Sequence, residues 1–149
     1  MNYTNTDIGS LLVSNYQGIG SLTAGGVGDN TAINGNSFYA GTYGSGKILV
    51  VYTATLAATK TLSLKVELKH SEDNVTFISV TIKDGVIATG GAGGSTETGV
   101  FEYDFNREKL GAYVKVTVTP DLNAANTDTA TVAFVNVYGG GAANPVSKG

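Results

Sequence analysis

The sequence predicts an all-β protein: an antiparallel β-sandwich, jelly-roll-like, with an extended N-terminal arm. Apolar and polar residues alternate strictly over eight positions of Thr61–His70, which predicts a strand with one buried and one solvent-exposed face. Segments of this kind recur after residue 46 with short turns between them, and one-sided strands are typical of antiparallel sheets. Two packed sheets accommodate such strands. An immunoglobulin-type sandwich is the alternative, disfavoured because Cys and Trp are absent.

The pattern divides the chain into three parts. Residues 1–32 carry isolated apolar side chains interrupted by glycines, which favours neither a helix nor a regular strand. We therefore expect an extended arm that becomes ordered on a neighbouring subunit or on another protein, with a disordered or edge-packed terminus as the alternative. Residues 33–140 form the sandwich, and residues 141–149 form a flexible tail.

Several strands can be placed within the sandwich. Lys47–Thr55 is apolar on both faces, which predicts a central strand covered on both sides, or on one side by another subunit. Asp128–Tyr138 is predicted to be the last long strand and is also apolar on both faces. Ala112–Thr119 should point its alternate valines inward and end before Pro120, because proline cannot donate to a ladder. Asp84-Gly85 reads as a turn between two shorter strands.

Composition excludes several classes of function. The net charge is −3, and only nine basic residues are spread along the chain, so we expect neither nucleic acid nor a membrane surface as partner. No cysteine is present, which excludes disulfides and thiolate metal sites and fits synthesis in a reducing cytoplasm. The first residues lack the features of a signal peptide, so we expect a soluble protein not exported by a cleaved signal.

Residues suited to catalysis or metal binding are few. The single histidine, His70, is in phase with inward leucines, which favours a partly buried structural role over a catalytic triad. Glu102 and Asp104 share a strand face at about 7 Å, a spacing compatible with a glycosidase pair but also typical of any wet face.

A loop with four oxygen-bearing side chains matches no known calcium-loop spacing, and ordinary turn chemistry is favoured. These residues are Asp121, Asn123, Asn126 and Asp128. We therefore expect no enzyme activity, no cofactor and no metal.

Three segments resemble proteins encoded among the structural genes of tailed bacteriophages, namely capsid decoration (cement or head-stabilising) proteins. They are Gly25–Phe38, Leu62–Phe77 and Tyr113–Gly140. The resemblance implies a jelly-roll-like body, often a homotrimer, that binds the lattice of major capsid protein on the virion surface after synthesis in the host cytoplasm. It implies no catalytic residues.

From the apolar residues of the arm we expect the contacts with capsid or neighbouring subunits. They are Leu11, Leu12, Tyr16, Ile19 and Leu22. Deleting residues 1–30 should then leave a folded body that no longer binds capsids.

Two other functions remain open at this stage. A receptor- or carbohydrate-binding module of a tail fibre or baseplate would use Tyr39, Tyr43 and Tyr103 to stack sugars. A small lyase or glycosidase would depend on Glu102 and Asp104 and ranks last.

Overall fold

The alternating segment forms strand β5, and its four apolar residues all point into the protein, where they are fully or almost fully buried. The computed structural model describes residues 12–123 and 127–140, and within them the chain forms nine strands and one short 3₁₀ turn. The strands are β1 (Val13–Thr23), β2 (Ile33–Asn34), β3 (Phe38–Tyr39), β4 (Ser45–Leu56), β5 (Thr61–Ser71), β6 (Ile78–Thr89), β7 (Ser95–Asn106), β8 (Tyr113–Leu122) and β9 (Thr129–Gly139).

The strands form two antiparallel sheets packed face to face. Sheet A has the order β1-β9-β4-β7, and sheet B has the order β2-β8-β5-β6 with β3 also paired to β8. If β2 and β3 are counted as one interrupted strand, each sheet has four strands, and successive strands mostly alternate between the sheets. This is a jelly-roll arrangement, as the sequence predicted. The central position of β4 in sheet A confirms that part of the prediction made from its two apolar faces, and β9 lies beside it. The outer face of β4 is exposed at Val51, so its cover by another subunit stays a prediction.

The core lies between the sheets and uses the alternate residues of each strand. Val114, Val116 and Val118 of β8 are fully buried, as predicted, against residues such as Ile48 and Val50 of β4. One end of the core is aromatic: the Tyr138 ring stacks on Phe38 with centroids 4.8 Å apart. Burial raises the pKa of the Tyr138 phenol to about 12, although its hydrogen bond with Asn136 opposes the shift.

The prediction that residues 1–32 form an arm outside the sandwich is wrong for residues 13–23. They form β1, which pairs with β9 along its whole length except for a bulge between Tyr16 and Gly18. The glycines misled the sequence prediction: Gly18 packs against the Phe134 ring and Gly20 against Ile33, so larger side chains from elsewhere fill the space they leave. Residues 1–11 and the predicted tail, 141–149, lie outside the described residues.

Two predicted strand ends are also wrong. Strand β6 continues through Asp84 and Gly85, and two register shifts against β5 accommodate the irregularity that the sequence presents as a turn. Strand β8 continues through Pro120 to Leu122. Proline is accepted there because its missing N–H lies on the side of β8 away from β5, where its carbonyl accepts a hydrogen bond from Asn30 N–H at 2.9 Å.

In the described part of the chain, no helix has the length and apolar character needed to span a bilayer.

Candidate interaction surface

The outer face of sheet A, called face A below, is organised in rows because its four strands pair without a register shift apart from the bulge in β1. The third of five rows is apolar across the whole sheet: Ile19 of β1, Ala133 of β9, Val51 of β4 and Val100 of β7. The second row adds three more apolar residues before it ends at Glu102. Together these seven residues form the apolar band: Tyr16, Ile19, Leu49, Val51, Val100, Ala133 and Val135.

Two further rows of face A carry hydroxyl groups at every position. The residues of these hydroxyl rows are Ser21, Thr131, Thr53 and Thr98, followed by Thr23, Thr129, Thr55 and Thr96. Some hydroxyls already bond to each other, as in the 3.1 Å pair of Ser21 and Thr131. Each threonine also carries a methyl group, so the hydroxyl rows can both pack against a partner and exchange hydrogen bonds with it.

The charges of face A are confined to one corner. The Lys47 ammonium lies 3.0 Å from a carboxylate oxygen of Glu102 and 3.0 Å from one of Asp104. The hydrogen bond with Asp104, and next that with Glu102, raises the pKa of Lys47. Because all three groups are exposed, this charged corner contributes little to stability, but it leaves the rest of face A without a formal charge.

The structure places the five predicted contact residues in different environments. Tyr16 and Ile19 stand on face A with 58% and 59% of their surface exposed. Leu12 is also exposed and lines a groove at the charged end of the same face with Leu49 and Val137. Leu22 is only 2% exposed and belongs to the core, so its predicted role in a contact is wrong. Leu11 lies outside the described residues.

The sequence analysis missed the contribution of other strands to this surface. Val51 and Val100 are 48% and 54% exposed and stand in the same row as Ile19. The signal for Val51 was present, since its strand is apolar on both faces. Val100 lies on a strand with only one continuous apolar face, and only the register between strands reveals that it completes the row.

The residues considered for catalysis have structural partners. Glu102 and Asp104 both bind Lys47, and each is more than half exposed. His70 is half-buried, and its Nδ1 accepts a hydrogen bond from Gly111 N–H at 3.0 Å. That bond links the end of β5 to the connection before β8, in agreement with the predicted structural role.

In the loop that was considered for calcium and rejected, two side-chain oxygens accept hydrogen bonds from backbone N–H groups. The side-chain oxygen of Asn123 accepts from Thr61 N–H at 2.8 Å, and Asp128 accepts from Ala57 N–H at 2.9 Å. Asn126 lies outside the described residues. Across residues 12–123 and 127–140 no three His, Asp or Glu side chains gather as metal ligands would.

The three tyrosines considered for sugar stacking do not form one platform. Tyr39 belongs to sheet B and packs edge-on against Tyr113, with ring centroids 5.3 Å apart. Tyr43 packs between Phe38 and Tyr138 at the aromatic end of the core. Tyr103 is on β7 of sheet A.

Comparison with known proteins identifies the fold. VP2 of infectious bursal disease virus, solved as a subviral particle, matches 89% of this chain with a TM-score of 0.55 at 11% identity. The structure of the Gx strain of that virus gives the same values. The structure of T=1 particles derived from infectious bursal virus matches 89% of this chain with a TM-score of 0.50 at 12% identity. The fold is that of viral capsid jelly rolls. This chain spans about a third of the capsid chains, covering 33%, 33% and 32% of them.

The likeness at this level of identity concerns the fold alone. The chain matches no family model and no curated protein sequence.

Proposed function

We propose that the chain is a capsid decoration protein of a tailed bacteriophage, which binds the outer surface of the major capsid protein lattice and stabilises the head. Two independent observations support this proposal: the resemblance of three sequence segments to such proteins, and a fold of the kind found in viral capsid particles. The mechanism is contact rather than chemistry. Many copies, each bound through a modest surface, resist expansion of the shell together because their interactions are repeated over the lattice.

The observation that carries the proposal is the exposure of Tyr16 and Ile19 on a rigid strand. Two large apolar side chains, 58% and 59% exposed, stand next to each other on face A. Contiguous apolar patches with a polar rim mark surfaces that bind other proteins. Because β1 is paired to β9, these side chains are held in place before binding, and little conformational entropy is lost when a partner covers them.

The direct test is co-sedimentation of the purified chain with heads assembled from the major capsid protein of the same genome. We expect saturable binding to heads and none to the unassembled capsid protein. If circular dichroism shows that the chain is folded and it still does not bind to heads, the proposed function is contradicted.

A pair of matched variants tests the contact residues. Ile19→Ser should weaken binding about tenfold, since covering the exposed part of an isoleucine contributes on the order of 1–2 kcal/mol. Ile78→Ser is the control, because Ile78 is 61% exposed but lies on β6 of sheet B. Equal losses for the two variants would show that Ile19 has no special role.

The homotrimer implied by the resemblance is part of the proposal. Light scattering should give a mass of three chains of 15.2 kDa each. A single-chain mass at the concentrations used for head binding would contradict the trimer without affecting the head-binding test.

A further inference from the structure

The outer faces of the two sheets differ in charge. On sheet B, charged residues of β5, β6 and β8 point outward and are spread over the face that these strands form. These outward charged residues are Lys65, Glu67, Lys69, Asp84, Lys115 and Asp121. On face A the three charges are confined to one corner and bind each other. Some charges on sheet B also have partners: Lys65 lies 3.5 Å from Glu67, and the Lys115 ammonium lies 3.9 Å from the centroid of the Phe77 ring. Burial of the whole face against a partner would therefore desolvate six spread charged groups on sheet B but only the three clustered ones on face A.

Face A is also large enough to form an interface by itself. Four strands about 4.8 Å apart and five rows about 6.8 Å apart give roughly 650 Å² of nearly continuous surface. A standard specific interface buries about 800 Å² on each partner, so face A supplies most of that area before any loop contributes. Its apolar band runs across the middle, where interfaces are most apolar, and the hydroxyl rows and charged corner lie at the two ends.

We propose that face A is the surface that lies against the capsid shell and that sheet B faces outward to solvent. The inference rests on the proposed function and names the orientation of the chain on the head. The complementary surface is an uncharged part of the assembled lattice, with apolar side chains opposite the apolar band and hydrogen-bonding groups opposite the hydroxyl rows. The charged face of sheet B then keeps decorated heads soluble.

Single cysteines test this orientation directly, because the chain has no native cysteine. Thr53→Cys places a thiol on face A, and Thr81→Cys places one on the outer face of sheet B opposite Glu67. Both threonines are exposed in the free chain, so both thiols should react with a water-soluble maleimide at similar rates. On saturated heads we expect labelling of the Thr53→Cys chain to fall at least tenfold and labelling of the Thr81→Cys chain to remain unchanged.

Matched valine variants give an independent measurement. Val100 on face A and Val86 on the outer face of sheet B are 54% and 51% exposed. Val100→Ser should weaken binding to heads about fivefold, and Val86→Ser should leave it unchanged.

The outcomes separate this proposal from the proposed function. If the wild-type chain binds heads but Thr81→Cys is protected and Thr53→Cys is not, the function stands and the orientation is overturned. Equal protection of both thiols also overturns the orientation. If the wild-type chain does not bind heads at all, both proposals fail.

Discussion

Strands β8 and β7 belong to opposite sheets, and each pairs with a long strand on one side only. The backbone N–H and C=O groups on the other side have different surroundings in the two strands. On β8, a series of short elements meets the backbone groups that point away from β5. The Gln17 side-chain oxygen accepts from Val116 N–H at 3.0 Å, and Asp29 accepts from Leu122 N–H at 2.8 Å. Strands β2 and β3 cover two further positions, and Pro120 has no N–H to satisfy. Every second residue from Val114 to Leu122 is thereby accounted for.

The free side of β7 has no such cover among the described residues. Its twelve residues pair with β4 without a register shift, and no strand lies on the other side. What β7 has instead is charge: Glu97, Glu102 and Asp104. Acidic side chains on an edge strand discourage pairing with another chain.

The difference shows that the first part of the chain is structural. Gln17 and Asp29 both belong to the segment that the sequence assigned to an arm, yet they close the edge of the opposite sheet. A charged edge can be altered without disturbing the core, whereas the edge of β8 depends on buried hydrogen bonds.

Deleting residues 1–23 should abolish cooperative unfolding. The deletion removes β1, the buried Leu22 and the Gln17 cap, a loss comparable with the whole stability of a small domain, about 5–15 kcal/mol. Thermal unfolding followed by circular dichroism is the measurement, with deletion of residues 1–11 as the control that keeps every contact described above. A cooperative transition in the longer deletion would restore the arm interpretation. By the same reasoning, and contrary to the expectation from the sequence, a chain lacking residues 1–30 should not remain folded, because that deletion also removes β1.

Gln17→Ala should lower the free energy of unfolding by about 2–4 kcal/mol. The substitution leaves the buried Val116 N–H without its acceptor, which costs about 1–3 kcal/mol. It also removes the hydrogen bond from the Gln17 side chain to the Asn36 carbonyl and the packing of a side chain that is only 2% exposed. Urea unfolding measures the change. Ser14→Ala, at an exposed position of the same strand, is the control and should change stability by less than about 0.5 kcal/mol.

Asp29→Asn should lower the free energy of unfolding by a smaller amount, about 1–2 kcal/mol. The asparagine side chain keeps one oxygen as acceptor where the two carboxylate oxygens of Asp29 each accepted a hydrogen bond. Those bonds come from Leu122 N–H at 2.8 Å and Gly25 N–H at 2.7 Å. Hydrogen exchange at Leu122 should accelerate more than at Val118, whose partner is strand β2. Equal acceleration at both amides would mean that Asp29 does not act locally.

Neutralising the acids of β7 should leave the fold intact and increase self-association. The variant carries Glu97→Gln, Glu102→Gln and Asp104→Asn, and light scattering should show concentration-dependent association with little change in melting temperature. The control carries Glu67→Gln, Asp84→Asn and Asp121→Asn, which removes the same charge from sheet B. If the two variants associate equally, net charge rather than the edge is responsible.

We expect the smallest effect on stability from Asp73, an exposed residue whose carboxylate accepts hydrogen bonds within the turn between β5 and β6. Backbone N–H groups of Thr76 and Val75, and then the Ser71 hydroxyl, lower the pKa of Asp73 to about 2. Because the folded pKa lies below the unfolded value, the contribution of Asp73 is complete above pH about 4 and is lost as pH falls toward 2. The amide shifts of Val75 and Thr76, followed by NMR, should titrate in that range and lose the titration in Asp73→Asn.

The sequence predicted those parts of the fold whose pattern is local. Alternation in β5 and β8 and the two apolar faces of β4 and β9 follow from neighbouring residues alone. Strand β1 could not be predicted this way. The space beside Gly18 and Gly20 is filled by the side chains of Phe134 and Ile33, which are distant in sequence. The bulges of β6 and the edge position of Pro120 likewise depend on which strand pairs with which.

The candidate surface was predictable to a similar extent. Tyr16 and Ile19 were predicted as contact residues of an arm; both are exposed, although they stand on a strand, and the contact itself stays a prediction. Their neighbours on face A come from three other strands, and the pairing that brings Val51 and Val100 beside Ile19 is a property of the folded sheet. Leu22 was misassigned because its burial depends on that same pairing.

The pairing of Val13 with Tyr138 places the start of β1 beside the end of β9. A short linker could join these two positions, and a new start could be opened at the exposed glycines between β6 and β7. Such a circular permutant would keep both sheets while moving the attachment point for a displayed peptide to the opposite half of the molecule.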